Sequence, residues 1–293
     1  TSLDPTATLT APTMALNSGQ ISVQLNIPGA LNPTVGLVLS GQALASLQNS
    51  ANDLSLLSYS SFDVYGNGTV GSRNLDRLAI QAGAIRGFNT GGGTATFSAR
   101  DLLLENTTGR TVAALPVNPL NGKLAFDANQ ITLGANALQV ERFATVEMAA
   151  DTRLLTTGTG SFSTTGALDL ITPLVTGAGA SRHSLASAGA LRLIRPAGAA
   201  STMSAGGLGA DLPMQGSTLE ANSDVLLPSG RLTLRATTGA LSVGNLAPTR
   251  IDLAGVSRGF LDVTRDTDGG TVNLEADAGS IAIGANATID VSA

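Results

Sequence analysis

Residues 269–293, GGTVNLEADAGSIAIGANATIDVSA, repeat the pattern of residues 230–253, GRLTLRATTGALSVGNLAPTRIDL. Gly270, Val272, Leu274, Ala276, Gly279, Ile281, Ile283 and Gly284 fall on Gly230, Leu232, Leu234, Ala236, Gly239, Leu241, Val243 and Gly244, always 40 residues apart. The linkers that follow differ, four residues against six, yet IDV at 289–291 still matches IDL at 251–253. Strands that keep register while the loop between them changes length must stack like upon like. That requirement constrains the fold more than any other feature of the chain.

A tighter form recurs upstream. GTATFSARDLLLE at 93–105 and GKLAFDANQITLG at 122–134 share a ladder: Phe97, Ala99, Leu102, Leu104 in one and Phe126, Ala128, Ile131, Leu133 in the other. LTAPTMAL at 9–16 and LEANSDVLL at 219–227 follow the same rule: apolar, any residue, alanine, two to four residues, then apolar, any residue, apolar. Alternation places every second side chain on one face of a strand. The alanine marks a corner where only a small inward residue fits, and Asn, Asp and Gly turn the chain there. Apolar runs break after four to six residues, and helical periodicity is hard to find. The fold expected is all-β: a parallel β-helix, or β-solenoid, with loop insertions. The alternatives are a β-sandwich and a propeller. No aromatic motif marks each unit as in a propeller, and the corner recurs too uniformly for a sandwich. The inward rows are expected to contain Phe97, Phe126, Leu234, Leu274, Ile281 and Ile283. Regions near 26–50, 106–121, 139–160, 172–189 and 195–217 lack the ladder and read as loops leaving the coils. No composition shift marks a second domain, so residues 1–293 read as a single solenoid segment.

Composition agrees with a narrow interior of stacked small and aliphatic rows. Aromatic residues make up 3%, charged residues 13%, and hydrophobic residues 43%. That hydrophobic content disfavours disorder. The net charge of −5 gives no basic patch for neutralising phosphates, so nucleic-acid binding is not expected. With no cysteine there is no disulfide scaffold, thiolate metal site or cysteine nucleophile. A large secreted protein without disulfides points softly to a bacterial outer surface. No run reaches ~18 apolar residues, so no membrane span is expected. The opening TSLDPT carries no leader, and the segment reads as part of a longer polypeptide.

At this level the chain resembles the filamentous haemagglutinin family of large bacterial exoproteins. The closing GGTVNLEADAGSIAIGANATIDVSA looks like one coil of that family. LLSYSSFDVYGNGTVG at 56–71, followed by LDRLAIQAGAIRGF at 76–89, resembles a domain associated with filamentous haemagglutinin outer-membrane proteins. The resemblance covers most of residues 50–293 in cadence; 56–71 and 269–293 are its specific phrases. It implies a right-handed parallel β-helix with a passive extracellular role, exported by two-partner secretion through an outer-membrane transporter. It further implies a structural or adhesive rod that serves attachment, aggregation or a biofilm matrix. The expected partners are host or bacterial surface glycans or proteins. Self-association into fibres, with coils stacking end to end, is the alternative. The asparagine–proline signature of the family's secretion domain is not recognisable here, and no ligand follows from the resemblance.

No reaction centre is visible, and neither an enzymatic activity nor a cofactor is expected. His183, the single histidine, lies in GASRHSLAS and reads as a solvated loop residue. No nucleophile-elbow phrase offers it a triad partner. Asp262, Asp266 and Asp268 in DVTRDTDGG are candidate calcium ligands, but the spacing stops after DTDG and reads better as a turn between coils. A β-helix polysaccharide-acting enzyme would need clustered carboxylates, whereas Asp and Glu here are scattered. The sequons at Asn67, Asn106 and Asn286 are candidate glycosylation sites of a kind that a chain rich in Thr and Ser produces by chance. RGF occurs at 86–88 and 258–260 without any RGD.

Overall fold

The computed structural model describes residues 4, 6–26, 35–88, 90–116, 120–199, 206–260 and 263–293. They form two compact units, Thr1–Ala149 with Ser161–Gly166, and Ala150–Gly160 with Ala167–Ala293. Each unit is a parallel β-helix, in which strands pair in register with their equivalents in the next coil.

In the second unit each complete coil has three short strands. One ladder stacks Arg182–Ser187, Asp211–Gly216, Arg231–Ala236 and Thr271–Ala276. A second stacks Ala167–Ile171, Leu191–Ile194, Leu219–Asn222, Leu241–Val243 and Ile281–Ile283. A third stacks Leu174–Gly177, Asp224–Leu226, Thr249–Asp252 and Ala287–Asp290. The pairs Leu234 with Leu274, Leu241 with Ile281 and Ile251 with Ile289 reproduce the sequence repeat residue by residue. Inward rows such as Met214–Leu234 and Leu191–Leu219–Leu241 are fully buried. Each such leucine contributes about 1.5–3 kcal/mol relative to exposure.

The first unit follows the same plan around an aromatic centre. Phe126 pairs with Phe97, Ala128 with Ala99, Ile131 with Leu102 and Leu133 with Leu104. Strand Thr94–Glu105 runs unbroken for 12 residues, and the corner is written as two consecutive exposed residues, Arg100 and Asp101. Inward positions therefore switch from odd to even numbers at the corner. Phe62 meets Phe97 edge-on at 5.7 Å between centroids, and Phe126 follows at 6.1 Å.

Several regions read as loops are strands. Thr145–Thr156 is a 12-residue strand with its own corner at Asp151 and Thr152. Leu174–Gly177, Arg182–Ser187 and Asp211–Gly216 are strands as well, and Thr159–Thr164 begins inside the region 139–160. Their ladders escape a search for apolar alternation because the inward positions include Thr156, Thr164, His183 and Ser187, all buried. Hydroxyls can stand there because they donate to nearby carbonyls: Thr156 Oγ1 to Thr176 O at 3.5 Å, Ser187 Oγ to Ala190 O at 3.2 Å. The segment 106–116 carries no strand, as expected of a loop.

Helix Gly41–Ser50, the one α-helix among the described residues, was likewise hidden in a region read as loop. Its apolar face is only Ala43, Leu44 and Leu47, too short a stripe to announce a period. Ser46 Oγ accepts from Leu9 N at 2.9 Å and Ser50 Oγ donates to Leu9 O at 3.2 Å. Leu9 is thereby held outside any strand, and of LTAPTMAL only the end enters one, Thr13–Ser18. No helix among the described residues is long and apolar enough to cross a membrane.

Two of the expected inward residues are not buried. Ile281 and Ile283 are 46% and 57% exposed, and Leu274 is half-buried. They stack in register on buried Leu241, Val243 and Leu234, but no described strand pairs on their other side. The expectation assumed cover on both sides of every coil.

Outward rows can also be buried where a segment crosses them. In the first unit one such row is Ser22, Asp63, Arg86 and Glu141. Asp63 is 4% exposed and its Oδ2 accepts from Gln20 Nε2 at 2.6 Å. Burial pushes its carboxyl above the ordinary aspartate range, against weaker lowering from a Ser61 hydrogen bond and from Arg86. A raised folded pKa means that the charged form disfavours folding. This penalty is present above the folded pKa and shrinks as pH falls through it toward the unfolded value of about 3.9. Asp63→Asn is therefore expected to raise the thermal midpoint at pH 7 relative to wild type, with the gap narrowing toward pH 4. Equal midpoints across that range would show that Gln20 and the arginines fully offset desolvation.

Candidate functional site

The strongest surface feature of the second unit follows from the way its coils begin. Arg182, Asp211, Arg231 and Thr271 each open a strand of one ladder and are register partners, so they form a row along the stacking direction. The residues just before them are Ser181, Ala210, Gly230 and Gly270. Backbone bonds tie the rungs together there: Asp211 N to Ser181 O at 2.8 Å, Arg231 N to Ala210 O at 2.8 Å, Thr271 N to Gly230 O at 2.9 Å.

Ser181 and Ala210 carry a Cβ at this corner, but the Gly270 rung has no room for one. A Cβ on Gly270 would stand 2.3 Å from Gly230 O and 2.8 Å from the Leu253 Cβ. Gly270→Ala is expected to destabilise the second unit by about 1–3 kcal/mol through overpacking. A thermal midpoint unchanged from wild type would contradict that packing. Small residues leave backbone as the floor of an open groove of about 490 Å³, walled by the row of Arg182, Asp211, Arg231 and Thr271.

Four arginines of the unit are paired: Arg192 with Asp169 at 2.7 Å, Arg195 with Asp224, Arg235 with Asp277 at 2.7 Å, Arg250 with Asp252 at 2.7 Å. Exposed Arg265 has no ion pair among the described residues. Hydrogen bonds from Arg235 hold the exposed Asp277 carboxyl below the ordinary range. Arg182 and Arg231 are exposed and have no ion pair among the described residues. Beside them runs a second outward row, Pro213, Thr233 and Asn273, with Asn273 Nδ2 directed at Thr233 Oγ1 at 3.4 Å.

The residues singled out from sequence lie elsewhere. Asp262 is outside the described residues. Asp266 ends strand Val263–Asp266, which pairs antiparallel with Ser257–Phe260 in a hairpin between coils, and Asp268 is exposed just after it. Among the described residues no group of three or more His, Cys, Asp or Glu side chains is placed to hold a metal. His183 is 2% exposed and points inward on strand Arg182–Ser187, which corrects the solvated-loop expectation.

The sequons differ from one another. Asn106 is 2% exposed, and its Nδ2 donates to Arg110 O at 3.0 Å and Ala137 O at 2.9 Å, so its amide braces a turn. Asn67 is half-buried and donates to Thr90 O at 3.1 Å. Asn286 is exposed. Of the RGF segments, 86–88 lies in strand Ala84–Phe88 with Arg86 bound to Glu141 at 2.8 Å, and 258–260 lies in the hairpin.

Sequence reading missed Arg182, Asp211 and Arg231. The signal that finds them is the repeat carried further: a small residue, then a strand opener, at Ser181-Arg182, Ala210-Asp211 and Gly230-Arg231. No family model, curated protein or solved structure matches the chain.

Proposed function

We propose that this chain is a structural and adhesive segment of a large secreted bacterial surface protein, serving attachment, aggregation or a biofilm matrix. The reading requires no reaction centre. The observation that supports it best is a division of labour across the pleat. Along one ladder the inward residues stay apolar, Leu212–Leu232–Val272 and Met214–Leu234–Leu274. The outward ones change freely, Asp211–Arg231–Thr271 and Pro213–Thr233–Asn273. Each coil is supported by its neighbours, so an outward residue can vary without disturbing the core. Such a surface suits display and contact. The resemblance to filamentous haemagglutinin exoproteins adds export through an outer-membrane transporter and surface glycans or proteins as partners.

The test is adhesion. Purified chain coated on beads is expected to retain epithelial cells or bacteria in a saturable manner, above beads coated with an unrelated β-rich protein. Retention no better than that control would overturn the reading. Release of new reducing ends from polysaccharides would replace it with the enzymatic one.

A further inference from the structure

We propose that the groove walled by Arg182, Asp211 and Arg231 takes a linear acidic polysaccharide, laid along the stacking direction, with one acidic group on every second sugar. The proposal rests on the attachment reading and names its ligand class. Three observations carry it.

The first is spacing. Arg182 and Arg231 occupy one row two rungs apart. Rungs of a parallel ladder are ~4.8 Å apart, so the two guanidinium-bearing positions repeat at about 10 Å. An extended acidic peptide presents same-side carboxylates every two residues, at about 7 Å, and falls out of step with that row. A polysaccharide charged once per disaccharide repeats over roughly the two-rung span.

The second is the residue between them. Asp211 sits on the intervening rung. Its carboxylate repels an acidic group at that position and accepts hydrogen bonds from sugar hydroxyls. A polymer charged on every sugar would set an anion against Asp211. One charged on alternate sugars sets a neutral ring there. Thr271, Thr233 and Asn273 extend the hydroxyl and amide surface alongside.

The third is availability and shape. The two arginines have no ion pair among the described residues, unlike Arg192, Arg195, Arg235 and Arg250. A planar guanidinium binds a carboxylate through two parallel hydrogen bonds. The floor is backbone and small residues, which lets a sugar ring approach. The chain carries a net charge of −5, so long-range attraction of any polyanion is not the source of binding.

Binding of hyaluronate octasaccharide (one carboxylate per disaccharide), oligogalacturonate (one per sugar) and neutral dextran to the full chain would be measured by calorimetry at low and physiological salt. Hyaluronate is expected to bind best, more weakly at physiological salt, where the screening length is about 8 Å. Arg182→Gln/Arg231→Gln should lower its affinity at least tenfold with an unchanged thermal midpoint, and Arg100→Gln, in the first unit, should leave it unchanged. Asp211→Asn should raise oligogalacturonate affinity toward that of hyaluronate. The proposal is overturned if hyaluronate does not bind, if oligogalacturonate binds wild type equally well, or if the double variant binds like wild type. Cells retained equally by wild-type and double-variant beads would overturn the groove and leave the attachment reading standing. No retention by wild type would overturn the attachment reading itself.

Discussion

Replacing Phe97 by alanine is expected to destabilise the first unit by about 3–5 kcal/mol. Phe97 is fully buried and lies in register between Val70 and Phe126 on adjacent rungs. Its ring also meets Phe62 from a second ladder. Removing it leaves a void bounded by strands Gly68–Gly71, Lys123–Leu133 and Ser61–Tyr65, the last two of which are held by ladder hydrogen bonds on both sides. Such a site cannot collapse, so the loss should fall at the upper end for a core aromatic. Phe97→Leu, which refills much of the volume, should cost under half as much. Hydrogen exchange along Thr94–Glu105 gives the local free energy directly and avoids assuming that both units unfold together. A loss below about 1 kcal/mol for the alanine variant would mean that the core is not organised around these phenylalanines.

Glu141→Ala is expected to cost about 3–5 kcal/mol, because it strands a buried charge. The Glu141 Oε2 accepts from Arg86 Nε at 2.8 Å, with side-chain exposures of 6% and 12%. Its Oε1 accepts from Leu115 N at 3.2 Å, and Arg86 Nη2 donates to Ala113 O. One carboxylate thus neutralises a guanidinium and ties down the segment that covers it. Removing the carboxylate orphans both donors. Arg86→Leu/Glu141→Leu should recover much of the loss, since a buried ion pair replaced by packed apolar side chains is often close to neutral. The segment 106–116 should also become more sensitive to protease in the alanine variant than in the double leucine variant. A single-variant loss within 0.5 kcal/mol, the usual range for an uninvolved surface position, would show the pair to be solvated.

The parts of this fold that could be read from sequence are those where the inward rows are aliphatic. Leu234 over Leu274 and Phe97 over Phe126 are visible as alternation, and the structure pairs them as aligned. The neighbouring coils obey the same geometry but fill inward positions with Thr156, His183 and Ser187. Thr156 and Ser187 are tolerated because their hydroxyls reach backbone carbonyls, which no hydrophobicity pattern records. The fate of Ile281 and Ile283 was illegible for another reason: a row's identity follows from alternation, but its burial depends on what lies on the next rung. For the groove, Arg182, Asp211 and Arg231 are separated by 29 and 20 residues and mean nothing singly. They become a row only when the register stacks them. The aspartates of DVTRDTDGG show the converse. They are close in sequence, yet Asp266 and Asp268 stand exposed in and beside a hairpin.

Coils 40 residues apart lie directly on one another. The chain contains no cysteine, so engineered pairs can be read without background. Thr233 and Asn273 are outward register partners, and adjacent parallel rungs bring Cα atoms to ~4.8 Å, within disulfide range. Thr233→Cys/Asn273→Cys should close an intramolecular disulfide under mild oxidation, detected by mass spectrometry, while Thr233→Cys/Glu275→Cys, slipped by two residues, should not. Closure of the slipped pair in preference to the matched one, in variants that retain the wild-type β-sheet spectrum, would contradict the stacking on which the rest depends.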